Sequence, residues 1–264
     1  MSQLADSLEK QKWQETENLL MDFKAISLPG MERVALMNRV DTKFIGPADM
    51  LPVLLKALSA HYQVLEIDNC RLFPYKTAYF DTKGFHMYEA HHNGKLNRYK
   101  VRKREYVKLG RQFLEVKFKN NKGRTIKNRI PRPDATMNFT SKEHVFLKDH
   151  SPYEGNDLEF KLNNRFNRIT LAGEKERITI DFDLEFWDDS DSALALPEIF
   201  ILELKQSKLN ANSIVRKILK KHCIRPQSFS KYCVGTASLN KALKSNRLKQ
   251  KLNLIEKIKS QIDN

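Results

Sequence analysis

The sequence predicts an α+β fold, an antiparallel β-sheet closed into a barrel with helices packed around it. Three observations point there. From Pro74 onward, polar and apolar residues alternate with period two in run after run, the signature of strands with two distinct faces. Short turn signals separate neighbouring runs (Asn93-Gly94, Leu109-Gly110, Asn121-Lys122-Gly123), so consecutive strands are expected to pair as an antiparallel meander. At either end of the chain the apolar spacing changes to the helical period.

Taken in order, Leu4, Leu8, Leu19, Leu20 and Phe23 predict an opening helix that Pro29-Gly30 ends. The run from Arg39 to Phe44 alternates and reads as a strand with Arg39, Asp41 and Lys43 on one side. Pro47 to Tyr62 reads as a helix with Met50, Val53, Leu54, Ala57 and Leu58 on one face. Strands follow over Tyr75–Asp81, Gly84–His92, Asn97–Val107, Gln112–Lys119 and Thr125–Pro131, then a helix over Ser141–His150 with Ser141 as its cap and Glu143 close behind. Phe166–Leu171, Glu176–Phe186 and Phe200–Gln206 are further strands, and Ser190–Ala195 is a loop. Ala211–His222 and Tyr232–Ile262 are helical by apolar spacing. This suggests an N-terminal helical segment (1–30), one β-rich domain (31–240) and a basic C-terminal helix (241–264).

A 264-residue chain with 41% hydrophobic residues can bury a substantial core. It has no apolar run of about 18 residues and no signal-like N-terminus, so the expected location is cytoplasmic, with membrane association only through a partner. Cys70, Cys223 and Cys233 form no CxxC pair and are expected to be reduced, mostly buried thiols. His91 and His92 are adjacent, which on a strand sends them to opposite faces; a turn at Asn93-Gly94 accounts for them better than a shared metal ion.

The charge is concentrated. Between Lys95 and Arg132 there are fifteen Lys or Arg residues against Glu105 and Glu115, so this stretch carries nearly all of the net +15. Within it Lys100, Arg102 and Arg104 share a face, as do Glu115, Lys117 and Lys119, and again Lys127 and Arg129. Arg177, Thr179, Asp181, Asp183 and Glu185 share one later face, Glu203 and Lys205 another. An ordinary antiparallel sheet with one wet face produces similar alternation. Rows of like charge on neighbouring strands, however, repel one another, and an anion must offset that cost. In a barrel with its apolar faces turned outward, the charges line a lumen fit for phosphate oxygens. Nucleic acid is the less favoured polyanion, because most of these cations alternate with aliphatic residues and not with base-stacking aromatics.

Several stretches, in order, resemble a known family: Arg39-Val-Asp-Thr-Lys43-Phe, Tyr79-Phe-Asp-Thr82, Arg98-Tyr-Lys-Val-Arg102-Lys-Arg104, Phe113-Leu-Glu-Val-Lys117, Lys127-Asn-Arg129, Phe166-Asn-Arg168, Arg177-Ile-Thr-Ile-Asp181, Leu202-Glu-Leu-Lys205 and Phe229-Ser-Lys231-Tyr232. From about Arg39 to Leu239 the chain resembles the polyphosphate polymerase domain of the vacuolar transporter chaperone (VTC) family, within the triphosphate tunnel metalloenzyme fold. The resemblance implies the stand-alone bacterial form and transfer of the γ-phosphate of ATP to a growing polyphosphate chain, with Mn²⁺ or Mg²⁺ as cofactor.

By motif, the resemblance makes Lys43, Arg102, Arg104, Lys117, Lys127, Arg168, Arg177 and Lys231 the phosphate-contacting catalytic residues. Glu203 would be the metal-binding glutamate, and Ser230 with Lys231 the pair closing one end. Lys100, Glu115, Arg129 and Lys205 face the same way and are further substrate-binding candidates. The implied partners are ATP, inorganic polyphosphate or pyrophosphate, and a membrane protein that the C-terminal helix could touch. Two features depart from the pattern. Where the wider superfamily carries an ExExK strand, this chain has Arg39, Asp41 and Lys43, which disfavours a triphosphatase that needs several metal-holding carboxylates. Phe166 also stands where the polymerases usually have a tyrosine. A phosphoanhydride hydrolase and a non-catalytic polyphosphate- or nucleotide-binding module are the alternatives.

Overall fold

The computed structural model describes residues 13–33, 39–132, 136–190 and 192–262. A helix over residues 13–21 (α1) leads into β1 (Lys24–Ile26), α2 (Leu28–Arg33), β2 (Val40–Pro47), α3 (Met50–Leu58), β3 (Gln63–Leu65) and β4 (Phe73–Thr82). Next come α4 (His86–His92), β5 (Arg98–Tyr106), β6 (Arg111–Lys119), β7 (Thr125–Arg132) and α5 (Ser141–His150). The chain finishes with β8 (Leu158–Ala172), β9 (Glu176–Trp187), β10 (Ala193–Gln206), α6 (Ile214–Lys221), α7 (Lys231–Leu239) and α8 (Lys249–Ile262). Leu4 and Leu8 of the expected opening helix lie outside the described residues.

The main sheet runs β2-β10-β9-β8-β4-β5-β6-β7 with every neighbouring pair antiparallel; β3 joins it through β8, and β1 pairs in parallel with β3. Its convex face carries two core clusters, and a third fills one end of the concave face. Ile169, Ile178, Ile180, Leu202 and Leu204 pack on the convex side under α3 and α6, while Leu162, Leu184, Phe186 and Ile199, on the side of Tyr79 and Glu203, pack under α7 and α8 and so close off one end of the concave face. The second convex cluster joins Val101, Leu114 and Val116 to Phe146 and Leu147 of α5. The strand residues of the two convex clusters are the apolar half of the period-two pattern.

The sheet curls strongly. Lying flat, β2 and β5 would be five strand spacings apart, about 24 Å. Yet Lys43 on β2 donates to the Phe229 carbonyl at 3.1 Å, and Lys100 on β5 donates to the next residue, Ser230 Oγ, at 2.9 Å. Only a sheet wrapped around a concave face brings those ammonium groups together.

Closure is where the expectation fails. Among the described residues β2 and β7 do not pair, so the sheet forms an open-sided channel and not a closed barrel. The free side of β2 is instead taken by the segment after α6: Phe44 bridges to Pro226, and Gln227 N–H donates to the Lys43 carbonyl at 2.8 Å. Pro226 has no N–H to offer, and β7 finds that seat occupied. Gly46 lets β2 fit on the other side, where a Cβ would sit 2.3 Å from the Phe200 ring.

Other elements also differ. Gly84–His92 is not a strand: His86–His92 is the helix α4, because the buried Asp81 carboxylate accepts the N–H groups of Met87 and Tyr88 at 2.9 Å and so satisfies donors that open a helix. The cap of α5 is Thr140, in a capping box with Glu143, and not Ser141. Pro29-Gly30 does not stop a helix but lies in the first turn of α2, where a proline costs no hydrogen bond. β10 begins at Ala193, inside the expected loop. The C-terminal helical run divides into α7 and α8. Cys233 is buried and Cys70 partly so, whereas Cys223 is exposed.

Candidate functional site

The register places the charged half of each strand on the concave face. Across β5 and β6, Arg102 faces Glu115 and Lys100 faces Lys117; across β6 and β7, Glu115 faces Arg129 and Lys117 faces Lys127. On the other flank Arg168 faces Asp181, Thr179 faces Glu203, and Glu203 faces Lys43. Rows far apart in sequence thus become one surface.

Three carboxylates organise it, each shared by two cations. Glu115 is fully buried; its Oε2 accepts from Arg102 Nε and Nη2 at 2.8 and 2.6 Å, and its Oε1 from Lys127 at 2.9 Å. Asp181 takes a two-pronged contact from Arg168 at 2.6 and 2.7 Å and a further bond from Lys231. Glu203 pairs with Lys205 at 2.7 Å and Lys43 at 3.5 Å. Burial alone would raise all three carboxyls, but the flanking cations prevail and hold each below the usual range: Arg102, Arg104 and Lys127 for Glu115; Arg168 and Lys231 for Asp181; Lys205 and Lys43 for Glu203.

The carboxylates do not balance the face. Lys117 has no hydrogen-bond or ion-pair partner among the described residues; burial, then Arg102, Lys100 and Lys43, push its ammonium well below the ordinary lysine value. Lys100, held by the neutral Ser230 hydroxyl, is pushed down to about 8 by burial with Lys43 and Arg102 adding to the effect. Burial also takes Lys231 down to about 8, against the pull of Asp181. Among the described residues, Arg104 meets the Thr77 hydroxyl at 3.3 Å and the rings of Tyr75 and Phe166, but no carboxylate. Buried cations lacking a counter-charge are costly, and an anion in the channel would relieve them.

The structure therefore gathers Lys43, Lys100, Arg102, Arg104, Lys117 and Lys127 with Arg168, Lys205, Ser230 and Lys231 around one concavity. Arg129 stands at its edge over the Phe113 ring at 4.5 Å. Arg177 lies apart, donating to the Met31 carbonyl, with Lys205 and Arg39 as its cationic neighbours. Sequence reasoning missed the part of Asp181, which anchors both Arg168 and Lys231; its parity with Arg177 and Thr179 was the available signal. Lys103, which alternates with Arg102 and Arg104, faces outward as its parity implies, donating to the carbonyls of Thr136, Met137 and Asn138.

The histidine pair serves two ends. His92 accepts from Arg247 N–H at 3.3 Å, whereas His91 is pushed down to about 2 by burial and by Lys100, Arg98, Lys43 and Lys119, and stays neutral. No group of three or more His, Cys, Asp or Glu side chains suited to a metal occurs among the described residues. Glu203 is a single hard-oxygen donor already shared by two lysines. That donor set fits a divalent ion arriving with phosphate oxygens, not one caged by protein alone. No helix among the described residues is long and apolar enough to cross a membrane. On α8, Ile255 and Ile258 face inward onto the core.

The family profile of the VTC domain matches residues 38–240. No curated protein matches the chain. Among solved structures, the chain is similar to a Hippeastrum protein described as a candidate adenylyl cyclase with a dominant triphosphatase activity, at 15% identity and a TM-score of 0.50, over 76% of this chain and 96% of that one. It is also similar to proteins described as candidate adenylate cyclases from Bacillus halodurans (13% identity, TM-score 0.46, 73% and 94% covered) and Vibrio parahaemolyticus (13%, 0.44, 73% and 94%). The first likeness shows a shared fold.

Proposed function

Because the chain belongs to the VTC domain family, we propose that it is a polyphosphate polymerase, transferring the γ-phosphate of ATP to the end of an inorganic polyphosphate chain held along the concave face. One observation carries the reading: among the described residues, half-buried Lys117 and Lys100 and buried Arg104 form no ion pair with a carboxylate, on a face whose carboxylates are each already shared by two cations. Such a face suits a linear polyanion better than an isolated phosphate.

The reaction needs no side-chain nucleophile. A terminal phosphate oxygen of the acceptor attacks the γ-phosphorus, the bond to the β–γ bridging oxygen breaks, and ADP leaves with that oxygen's charge. Arg102, Arg104 and Arg168 would align donor and acceptor, while Lys117, Lys100 and Lys43 would neutralise charge spreading onto the equatorial oxygens. A divalent ion brought in with the nucleotide would be held by Glu203 and would supply further charge neutralisation. The Lys43 and Lys205 ammonium groups now on Glu203 would then turn to phosphate.

Hydrolysis of triphosphate is the second reading, prompted by the triphosphatase activity described for the Hippeastrum protein. The deciding experiment is incubation with ATP and Mn²⁺ followed by sizing of phosphate polymers on a gel. The proposal expects chains longer than the primer, lost in Lys117→Ala and Arg102→Ala. Orthophosphate without chains would favour the hydrolase, and tight binding without turnover a binding module.

A further inference from the structure

Along β5 and β6 the concave face is chemically polarised. Following β5 inward residue by inward residue, one end begins with Tyr106 and passes through Arg104 and Arg102 to Lys100 and Arg98, advancing about 6.8 Å per step. Beside Lys100 and Arg98 stand Lys117 and Lys119. The Tyr106 end differs. Tyr75 pairs in register with Tyr106, Phe113 with Arg104, and Phe166 with Tyr75, so four rings share the inward face there. Their centroids step from Phe166 to Tyr75 (5.3 Å, stacked within 5°), Tyr75 to Tyr106 (4.9 Å) and Tyr106 to Phe113 (5.7 Å).

Guanidinium groups cover this aromatic run: Arg104 and Arg168 lie 5.5 and 5.0 Å from the Tyr75 centroid, and Arg129 lies over Phe113. Core packing explains Phe166, which is fully buried, and in part Tyr75. It does not explain Tyr106 and Phe113, which are half-buried and belong to none of the three apolar clusters. Two large rings left partly open on a charged concave face, set at 82° to each other and next to arginines, offer ring surface for a base at the end of a phosphate track.

We infer that Tyr106 and Phe113 bind the base of the nucleoside triphosphate, so that nucleotide occupies the aromatic end and the phosphate chain extends toward Lys100, Lys117 and Lys119. This rests on the proposed use of ATP and adds to it which residues take the base and which way the substrate lies. A base stacked at Tyr106 sets its phosphates along Arg104 and Arg102, where Glu115 and Asp181 orient the guanidiniums beside it. Stacking is tolerant of base identity, so these rings give affinity and direction more than choice among nucleotides.

Calorimetric titration with two probes, ATP and inorganic tripolyphosphate, tests this on the full chain. Tyr106→Leu and Phe113→Leu keep apolar bulk but remove the ring face. Each is expected to weaken ATP binding by about tenfold, within the range for loss of one base–aromatic stack. Tripolyphosphate should change by less than about twofold on the same scale, which also shows that the variant is folded. Tyr106→Phe should bind ATP like the unchanged protein. Equal weakening of both probes, or undiminished ATP binding in both leucine variants, overturns the inference while leaving the phosphate site standing. Failure of the unchanged protein to bind either probe instead overturns the proposed function, and the inference with it.

Discussion

Glu115→Gln separates the roles of the charged face most directly. The Glu115 side chain is 0% exposed and its Arg102 partner 10%, so the substitution leaves a guanidinium buried without its counter-charge. Breaking one side of a buried pair costs about 3–5 kcal/mol. The Lys127 side is 37% exposed and adds only about 0–1 kcal/mol. At roughly 2–4 °C per kcal/mol for a chain near this size, the ligand-free melting temperature should drop by about 6–24 °C. Tripolyphosphate should return much of that loss, because its oxygens supply the negative charge that the neutral glutamine amide lacks. The ligand-induced rise in melting temperature should therefore be larger in the variant than in the parent. Differential scanning calorimetry with and without tripolyphosphate reads both quantities. A variant that melts within about 2 °C (about 1 kcal/mol or less) of the parent, or gains no more from the ligand, would refute the view that Glu115 and a phosphate chain neutralise the same buried guanidinium.

Lys100 and Lys231 lose their protons near pH 8 in the fold, whereas the unfolded chain keeps them to about 10.5. Below pH 8 the penalty for their burial is fully present. As pH rises from about 8 to 10.5 the unfolded state binds more protons, so these groups make the ligand-free protein more stable while phosphate affinity falls; melting curves and titrations across that window should move in opposite directions. Mn²⁺ alone should bind weakly and Mn²⁺ with ATP tightly, with Glu203→Gln reducing only the metal-dependent part of the affinity, as read by calorimetry. Asp81→Asn replaces an acceptor for Thr82 N–H, Met87 N–H, Tyr88 N–H and the Tyr232 hydroxyl by an amide with its own donors. About 1–3 kcal/mol of stability should be lost, visible as a shifted urea midpoint, with α4 and α7 exchanging amide protons earlier.

The sequence by itself determined which residues share a face wherever the strand is regular; at Asp183, whose φ of 49° breaks the alternation, Glu185 passes to the side opposite Asp181. Period two is a property of the extended backbone, so the grouping of Lys100 with Arg102 and Arg104, or of Glu203 with Lys205, needed no tertiary information. Local chemistry likewise placed most strands and the α5 helix. Three things were decided only in three dimensions. His86–His92 became helical because Asp81, six and seven residues from the N–H groups it accepts, captures them. The barrel stayed open because Pro226 and Gln227, far along the chain from β2, hold the edge that β7 would have joined. The partners of each carboxylate were equally hidden: Asp181 meets Lys231 only because the sheet curls and α7 starts over its concave side. Alternation records which way a side chain points, whereas the distance between two side chains depends on curvature and on segments remote in the chain, for which no local period exists.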